Sequence, residues 1–203
     1  MSSMNRFRPN IYKNLILIFI ILGSLYLINM GIKLANKSQT ESSETIKLGG
    51  SFSLVDQFNK QFNSIEKKKY KLIYFGYTYC PDVCPIDLMK LSRILDNNEQ
   101  ILSFVLPIFV TLDPNRDKPL ILSDYLSNFN KNIVGLTGTE EQIKRVLKNF
   151  KIYKRNHKVS KEDIDYLIDH TSLFYLLNEK DEYVKHFSRN NFKNDFLKFY
   201  QNL

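Results

Sequence analysis

The two cysteines of this 203-residue chain both lie in one short motif, Cys80-Pro81-Asp82-Val83-Cys84. The motif follows an apolar, β-prone run and stands at the entrance to a helical pattern, where the helix dipole stabilises negative charge and favours thiolates at neutral pH. A spacing of four lets both sulfurs face one side if Cys84 begins the helix. Two thiolates a few ångströms apart can oxidise to a disulfide or hold a soft metal ion. A purely structural disulfide with three intervening residues constrains little of the unfolded chain. Zinc usually wants four ligands in a closed site, and no other ligand cluster is apparent.

The third candidate donor must come from three histidines. His157, among Lys154, Arg155, Asn156 and Lys158, reads as solvated loop, and His186 reads as a surface strand residue. His170 lies in Asp169-His170-Thr171-Ser172, between two apolar runs, where either a satisfied core histidine or a site residue fits. Cu(I) prefers thiolates and accepts imidazole, so two cysteines and one histidine would make a reasonable trigonal site.

The elements that must position these groups have local signatures. Ser51–Asp56 alternates like a half-buried strand, and Lys71–Gly76 is a β-prone run suited to a central strand. A helix is predicted from about Pro85, with Leu88, Leu91 and Leu95 on one face and Asn97-Asn98 at its end. The strand Pro107–Leu112 runs into Asp113-Pro114-Asn115-Arg116-Asp117, a turn before a helix that Asp117 could cap, with Pro119 in its first turn. Ile133–Leu136 is a brief strand. Thr139–Gln142 matches a capping box, followed by Ile143, Val146, Leu147 and Phe150 at helical spacing. Tyr166–Ile168 and Ser172–Leu176 suggest strands flanking His170, and Phe192, Phe196, Phe199 and Leu203 mark one face of a final helix. Strands interspersed with helices predict an α/β domain, a mixed sheet covered by helices.

Charge and hydropathy divide the chain. Lys and Arg number 29 against 21 Asp and Glu, and five of the eight excess charges (Arg6, Arg8, Lys13, Lys33, Lys37) fall within residues 1–40. No basic stripe interleaves with aromatics, so a nucleic-acid partner is not expected. Leu15–Ile32 gives about 27 Å of apolar helix, close to a ~30 Å hydrocarbon core. Ile32-Lys33-Leu34-Ala35 is a poor cleavage site, which favours an uncleaved anchor over a signal peptide. Three basic residues precede this segment and two follow it, predicting a cytoplasmic N-terminus. The expected organisation is a tail at 1–14, a transmembrane anchor at 15–32, a solvated tether at 33–48 and one domain at 49–203.

Over roughly residues 49–187 the chain resembles the Sco/SenC family of thioredoxin-like copper proteins. The resemblance is carried in order by Gly49–Asp56, Phe75–Pro85, Thr111–Asp117, Gly135–Gly138 and Tyr166–Ser172. It implies a thioredoxin-like fold, a Cu(I) and often Cu(II) site at Cys80, Cys84 and His170, and a supporting role for Asp113. It also implies copper delivery to, or thiol reduction of, the binuclear copper site of cytochrome c oxidase, with the copper-accepting subunit as partner and an upstream donor it does not name. Tyr79 stands where many members have His, and Gln57-Phe58-Asn59-Lys60 lacks the glycine usual after the first strand's aspartate. Membrane lipid around a single N-terminal anchor is typical of the family. A bacterial inner membrane with a periplasmic domain is expected, because no long Arg/Ser-rich presequence precedes the apolar run; the alternative is a mitochondrial inner membrane facing the intermembrane space. The rival function is a membrane-anchored thiol–disulfide oxidoreductase or peroxidase without a metal, although such reductases usually have two residues between the cysteines. A passive interaction domain would need neither cysteine.

Overall fold

Residues 8–40, 48–158 and 166–203 are described in the computed structural model. The chain divides into two compact units, Met1–Ile46 and Lys47–Leu203. In the first, helix α1 covers Arg8–Thr40, and Lys13–Lys33 is long and apolar enough to cross a membrane, with a mean hydropathy of 2.5. Its apolar side chains from Leu15 to Ile32 are exposed, as a lipid-facing helix requires. The first part of the expected tether is helical, because no Gly or Pro interrupts Ile32–Thr40. Residues 1–7 of the expected tail and 41–47 of the tether lie outside the described residues.

The second unit is built around strand β3, Tyr70–Gly76, whose Leu72, Ile73, Tyr74 and Phe75 have no solvent exposure. Before it come β1 (Ser53–Asp56) and β2 (Gln61–Asn63). After it come β4 (Val105–Thr111), β5 (Val134–Thr137), β8 (Leu173–Leu177) and β9 (Tyr183–Ser188). Together they form a seven-stranded sheet ordered β2-β1-β5-β4-β3-β8-β9, parallel at β3/β4 and β4/β5 and antiparallel elsewhere. Helices α2 (Val83–Asp96), the short α3 (Ile101–Phe104), α4 (Pro119–Leu126), α5 (Glu140–Asn149) and α6 (Phe192–Tyr200) complete the unit. Parallel neighbours require crossovers, and α2 and α4 supply them.

The pleat of β3 sends successive side chains to opposite layers. Phe75 packs among Phe150 and Tyr175, with ring centres 5.1 and 5.7 Å away. Tyr74 packs on Phe174 at 4.8 Å, which in turn stacks on Phe192 at 3.7 Å. The mixed sheet and the capping box at Thr139 and Gln142 agree with the sequence reading.

Four local readings need correction. Asp117 does not cap α4. Lys118 holds that position without a side-chain bond, and Asp117 turns inward, where buried hydroxyls claim its carboxylate. His157 belongs to strand β6 (Lys154–Lys158), not a loop. That strand pairs with β7 (Tyr166–His170) in a separate two-stranded ribbon, so His170 ends a strand outside the main sheet. Leu203 lies beyond α6 and is exposed. The β1–β2 turn forms without the usual glycine: Asn59 takes φ 60°, which Asn tolerates, and the Asp56 carboxylate accepts the N–H groups of Phe58 and Lys60.

Near the start of β3 the fully buried Lys71 ammonium meets Asp181 at 2.8 Å, and Ser64 Oγ donates to the same carboxylate at 2.6 Å. Removing one partner of such a pair strands the other charge in the core. Asp181 sits at φ 63°, a conformation that Asn also adopts, so Asp181→Asn removes charge without adding backbone strain. The variant is expected to lose about 3 kcal/mol of stability in chemical denaturation of the full chain, and a loss below about 1 kcal/mol would refute the ion pair's importance.

Candidate metal centre

At Gly76 the chain leaves the sheet, and Cys80 N donates to Tyr77 O at 3.2 Å to close the turn before α2. Helix α2 begins at Val83, earlier than its apolar periodicity indicates, so Cys84 occupies the first turn. The Cys80 sulfur thereby receives the backbone N–H groups of Asp82 and Cys84. Cys84 is fully buried and Cys80 nearly so, and both are free thiols. Gly76 makes room for this packing: a Cβ there would stand 2.9 Å from Cys84 Sγ and 2.8 Å from the Phe109 ring.

The histidine arrives from the ribbon. His170 Nε2 lies 3.7 Å from Cys84 Sγ although 86 residues separate them. An ion bonded to a thiolate at ~2.3 Å and an imidazole at ~2.0 Å, about 120° apart, would separate those donors by about 3.7 Å, the spacing seen. His170 Nδ1 faces Thr171 O at 3.1 Å. A carbonyl can only accept, so Nδ1–H donates there and the ring is turned to aim Nε2 at the sulfur side. Tyr77 ties this strand to the cysteine turn: its hydroxyl accepts the Ile168 N–H at 3.1 Å, and its ring meets His170 edge-on at 6.2 Å.

The two thiols divide one negative charge. Hydrogen bonding from Cys84 holds the Cys80 thiol down at about 3, helped by His170 and the two backbone N–H groups and opposed by burial. The same bond, with burial second, pushes the Cys84 thiol up. The resting pair is a Cys80 thiolate accepting the Cys84 S–H. Among the described residues no three or more Cys, His, Asp and Glu side chains already converge as a ready-made metal site. The site is an open set of two sulfurs and one imidazole, a donor set that suits soft, low-coordinate Cu(I).

Residues 40–200 match the SCO1/SenC family model. The chain belongs to the SCO1/SenC family. It is 35% identical over 201 residues to a SCO2-like protein of Rickettsia felis, an alignment covering 96% of this chain and 98% of that one. Among solved structures it resembles Bradyrhizobium japonicum ScoI with copper bound, at 36% identity and a TM-score of 0.68, covering 75% of this chain and 99% of that one. Yeast Sco1 gives the same TM-score at 34% identity, covering 77% and 99%. The thioredoxin-like fold follows from these likenesses.

In this SCO1/SenC chain a second tier of residues, largely invisible to sequence spacing, braces the donors. Arg116 Nε donates to Asp113 Oδ2 at 2.5 Å, and its Nη2 donates to Tyr166 O at 2.9 Å, where β7 begins. The guanidinium lies 3.8 Å from the centre of the Tyr166 ring and 4.6 Å from that of Tyr79, beside Cys80. Tyr166 OH donates to Asp113 Oδ1 at 2.7 Å. Asp113 therefore anchors the histidine ribbon through Arg116 and Tyr166. Asp117 accepts Thr78 N and Oγ1 at 3.0 and 2.5 Å and Thr111 Oγ1 at 2.6 Å, pinning the cysteine turn to the end of β4. Behind Cys84, Tyr74 OH reaches Asp87 Oδ2 at 3.2 Å and also contacts the buried sulfur.

A methyl at position 76 would push directly on Cys84. Gly76→Ala is therefore expected to weaken Cu(I) affinity by about 10- to 100-fold, the range for losing a group that orients a ligand; a chelator competition showing unchanged affinity would refute the steric account. The low Cys80 value predicts a thiolate that persists as pH falls from neutrality to about 5. Ultraviolet thiolate absorbance should survive at that pH in the metal-free protein and vanish in Cys80→Ser, and its absence from the wild type would contradict the shared-charge arrangement.

Proposed function

We propose that this protein holds one copper ion between Cys80, Cys84 and His170, with Asp113 in support through Arg116 and Tyr166. It acts in assembly of the binuclear copper site of cytochrome c oxidase, by delivering Cu(I) to the copper-accepting subunit, by reducing that subunit's cysteines, or both. One observation carries the reading: the approach of Cys84 Sγ and His170 Nε2 to 3.7 Å beside a thiol already biased to thiolate. The copper-bound state of similar proteins supports it.

The chemistry follows from the open site. Cys84, held protonated before metal arrives, gives up its proton as copper binds, so affinity rises with pH. With three protein donors, an incoming cysteine thiolate can join the ion before one of the original ligands leaves. In the reducing role, Cys80, the more accessible and more ionised sulfur, attacks an acceptor disulfide. The buried Cys84 then attacks the mixed disulfide, releasing the acceptor as a dithiol and leaving Cys80–Cys84 oxidised by two electrons. A disulfide offers no thiolates, so metal loading and redox state are mutually exclusive.

The helix Lys13–Lys33 fits a membrane anchor. Its more basic N-terminal flank supports a cytoplasmic N-terminus and a periplasmic copper domain in a bacterial inner membrane.

Anaerobic Cu(I) titration of the full chain in detergent, with a competing chelator, tests the assignment. Wild type should bind one equivalent, and Cys80→Ser and Cys84→Ser should lose at least about 100-fold in affinity, at or beyond the cost of losing an outer partner. His170→Ala should weaken copper binding while leaving thiol exchange intact, whereas a metal-independent oxidoreductase would show no change in copper handling. Stoichiometric Cu(I) binding by a triple variant would overturn the site.

A further inference from the structure

A second surface lies beside the site, and none of the chemistry above uses it. Seven basic residues and no acid fall between Gln142 and Lys158, although the remainder of residues 41–203 carries more acids than bases. This stretch includes most of α5 and all of β6. Between α5, the segment before β6 and Pro114 lies a groove of about 480 Å³. Ile143, Leu147 and Ile152 form its floor, Lys144, Lys148 and Lys154 stand at its rim, and the Tyr153 ring beside it is 66% exposed.

The nearby acids leave that rim positive. Glu140, held by Asn115 Nδ2, keeps its charge but is the one acid lining the groove against Lys144, Lys148 and Lys154. Glu141 is exposed in the first turn of α5, and Asp169 faces Arg155 at 3.7 Å. Lys154 Nζ donates to Leu112 O at 2.6 Å, leaving the exposed Lys144 and Lys148 as the outward charges.

The groove is also continuous with the braces of the metal site. Pro114 adjoins Asp113, and Lys154 pairs with His170 in the ribbon register. We propose that this groove docks an acidic segment of the copper-accepting partner, an apolar side chain seated on Ile143, Leu147 and Ile152 with flanking carboxylates at Lys144 and Lys148. The inference rests on the copper-transfer reading and names the chemistry of its partner. A lysine rim calls for carboxylates, and an apolar floor calls for a side chain. A lipid headgroup surface would satisfy only the first, and α1 already supplies the element suited to lipid.

The test uses full-length protein in zwitterionic nanodiscs, loaded with Cu(I), and follows transfer to the purified copper-accepting subunit by stopped flow. Rim charges act mainly on association rate, so Lys144→Glu/Lys148→Glu should slow transfer by about tenfold at low salt. Raising salt from about 20 to about 300 mM should slow the wild type and scarcely affect the variant. Chelator competition should give both proteins the same Cu(I) affinity. Transfer by the variant at the wild-type rate would overturn the proposal, and so would a defect confined to binding anionic vesicles, which would assign the patch to the membrane. Failure of the wild type to hold Cu(I) would instead refute the metal site and remove the basis of docking with it.

Discussion

Cys84 has no access to water, so every partner of its sulfur must be protein or a bound ion. An unpaired polar group in such a place is costly. Much of the surrounding architecture follows from meeting that demand. Gly76 yields the space, Tyr74 approaches from the adjacent strand, Cys80 accepts the S–H hydrogen bond, and His170 closes the remaining side. A donor buried this way is already stripped of solvent and fixed in direction. Binding an ion therefore requires little rearrangement at Cys84.

The sheet places this chemistry at the carboxyl end of its central strand, where α/β folds commonly form ligand crevices. The Lys71–Asp181 pair lies near the opposite end of β3, with the aromatic layers around Tyr74 and Phe75 between them. Stability and function thus draw on different ends of one strand. The braces at the functional end are polar and directional: Asp117 fixes the cysteine turn, and Arg116 fixes the base of the histidine ribbon.

What could be read from the sequence depended on how local its cause was. The capping box at Thr139 and Gln142 and the apolar face of α2 arise from spacings of three and four, and they were legible. The cysteine pair was legible for the same reason. The approach of His170 was not readable from spacing, because it depends on the Tyr77–Ile168 bond between segments 91 residues apart; family resemblance pointed to it. Asp117 was misread because an Asp before a proline-led helix looks like a cap, whereas its carboxylate answers Thr78 and Thr111 in the core. Arg116 lay within a motif that carried the resemblance, yet spacing does not reveal that it spans Tyr79 and Tyr166.

Among the described residues, β6 and β7 pair with each other and not with any strand of the seven-stranded sheet. The two sulfurs are held by the central strand and its helix, but the imidazole rides on a two-stranded element, a kind of structure with little stability of its own. Local opening of such an element costs less than global unfolding. For the copper site proposed above, the side-chain bonds from Tyr77, Asp113 and Arg116, and not sheet pairing, then set how firmly the imidazole is held against the ion. A cargo site whose third ligand is held by side-chain bonds and not by sheet pairing can grip its ion tightly at equilibrium and still surrender it quickly.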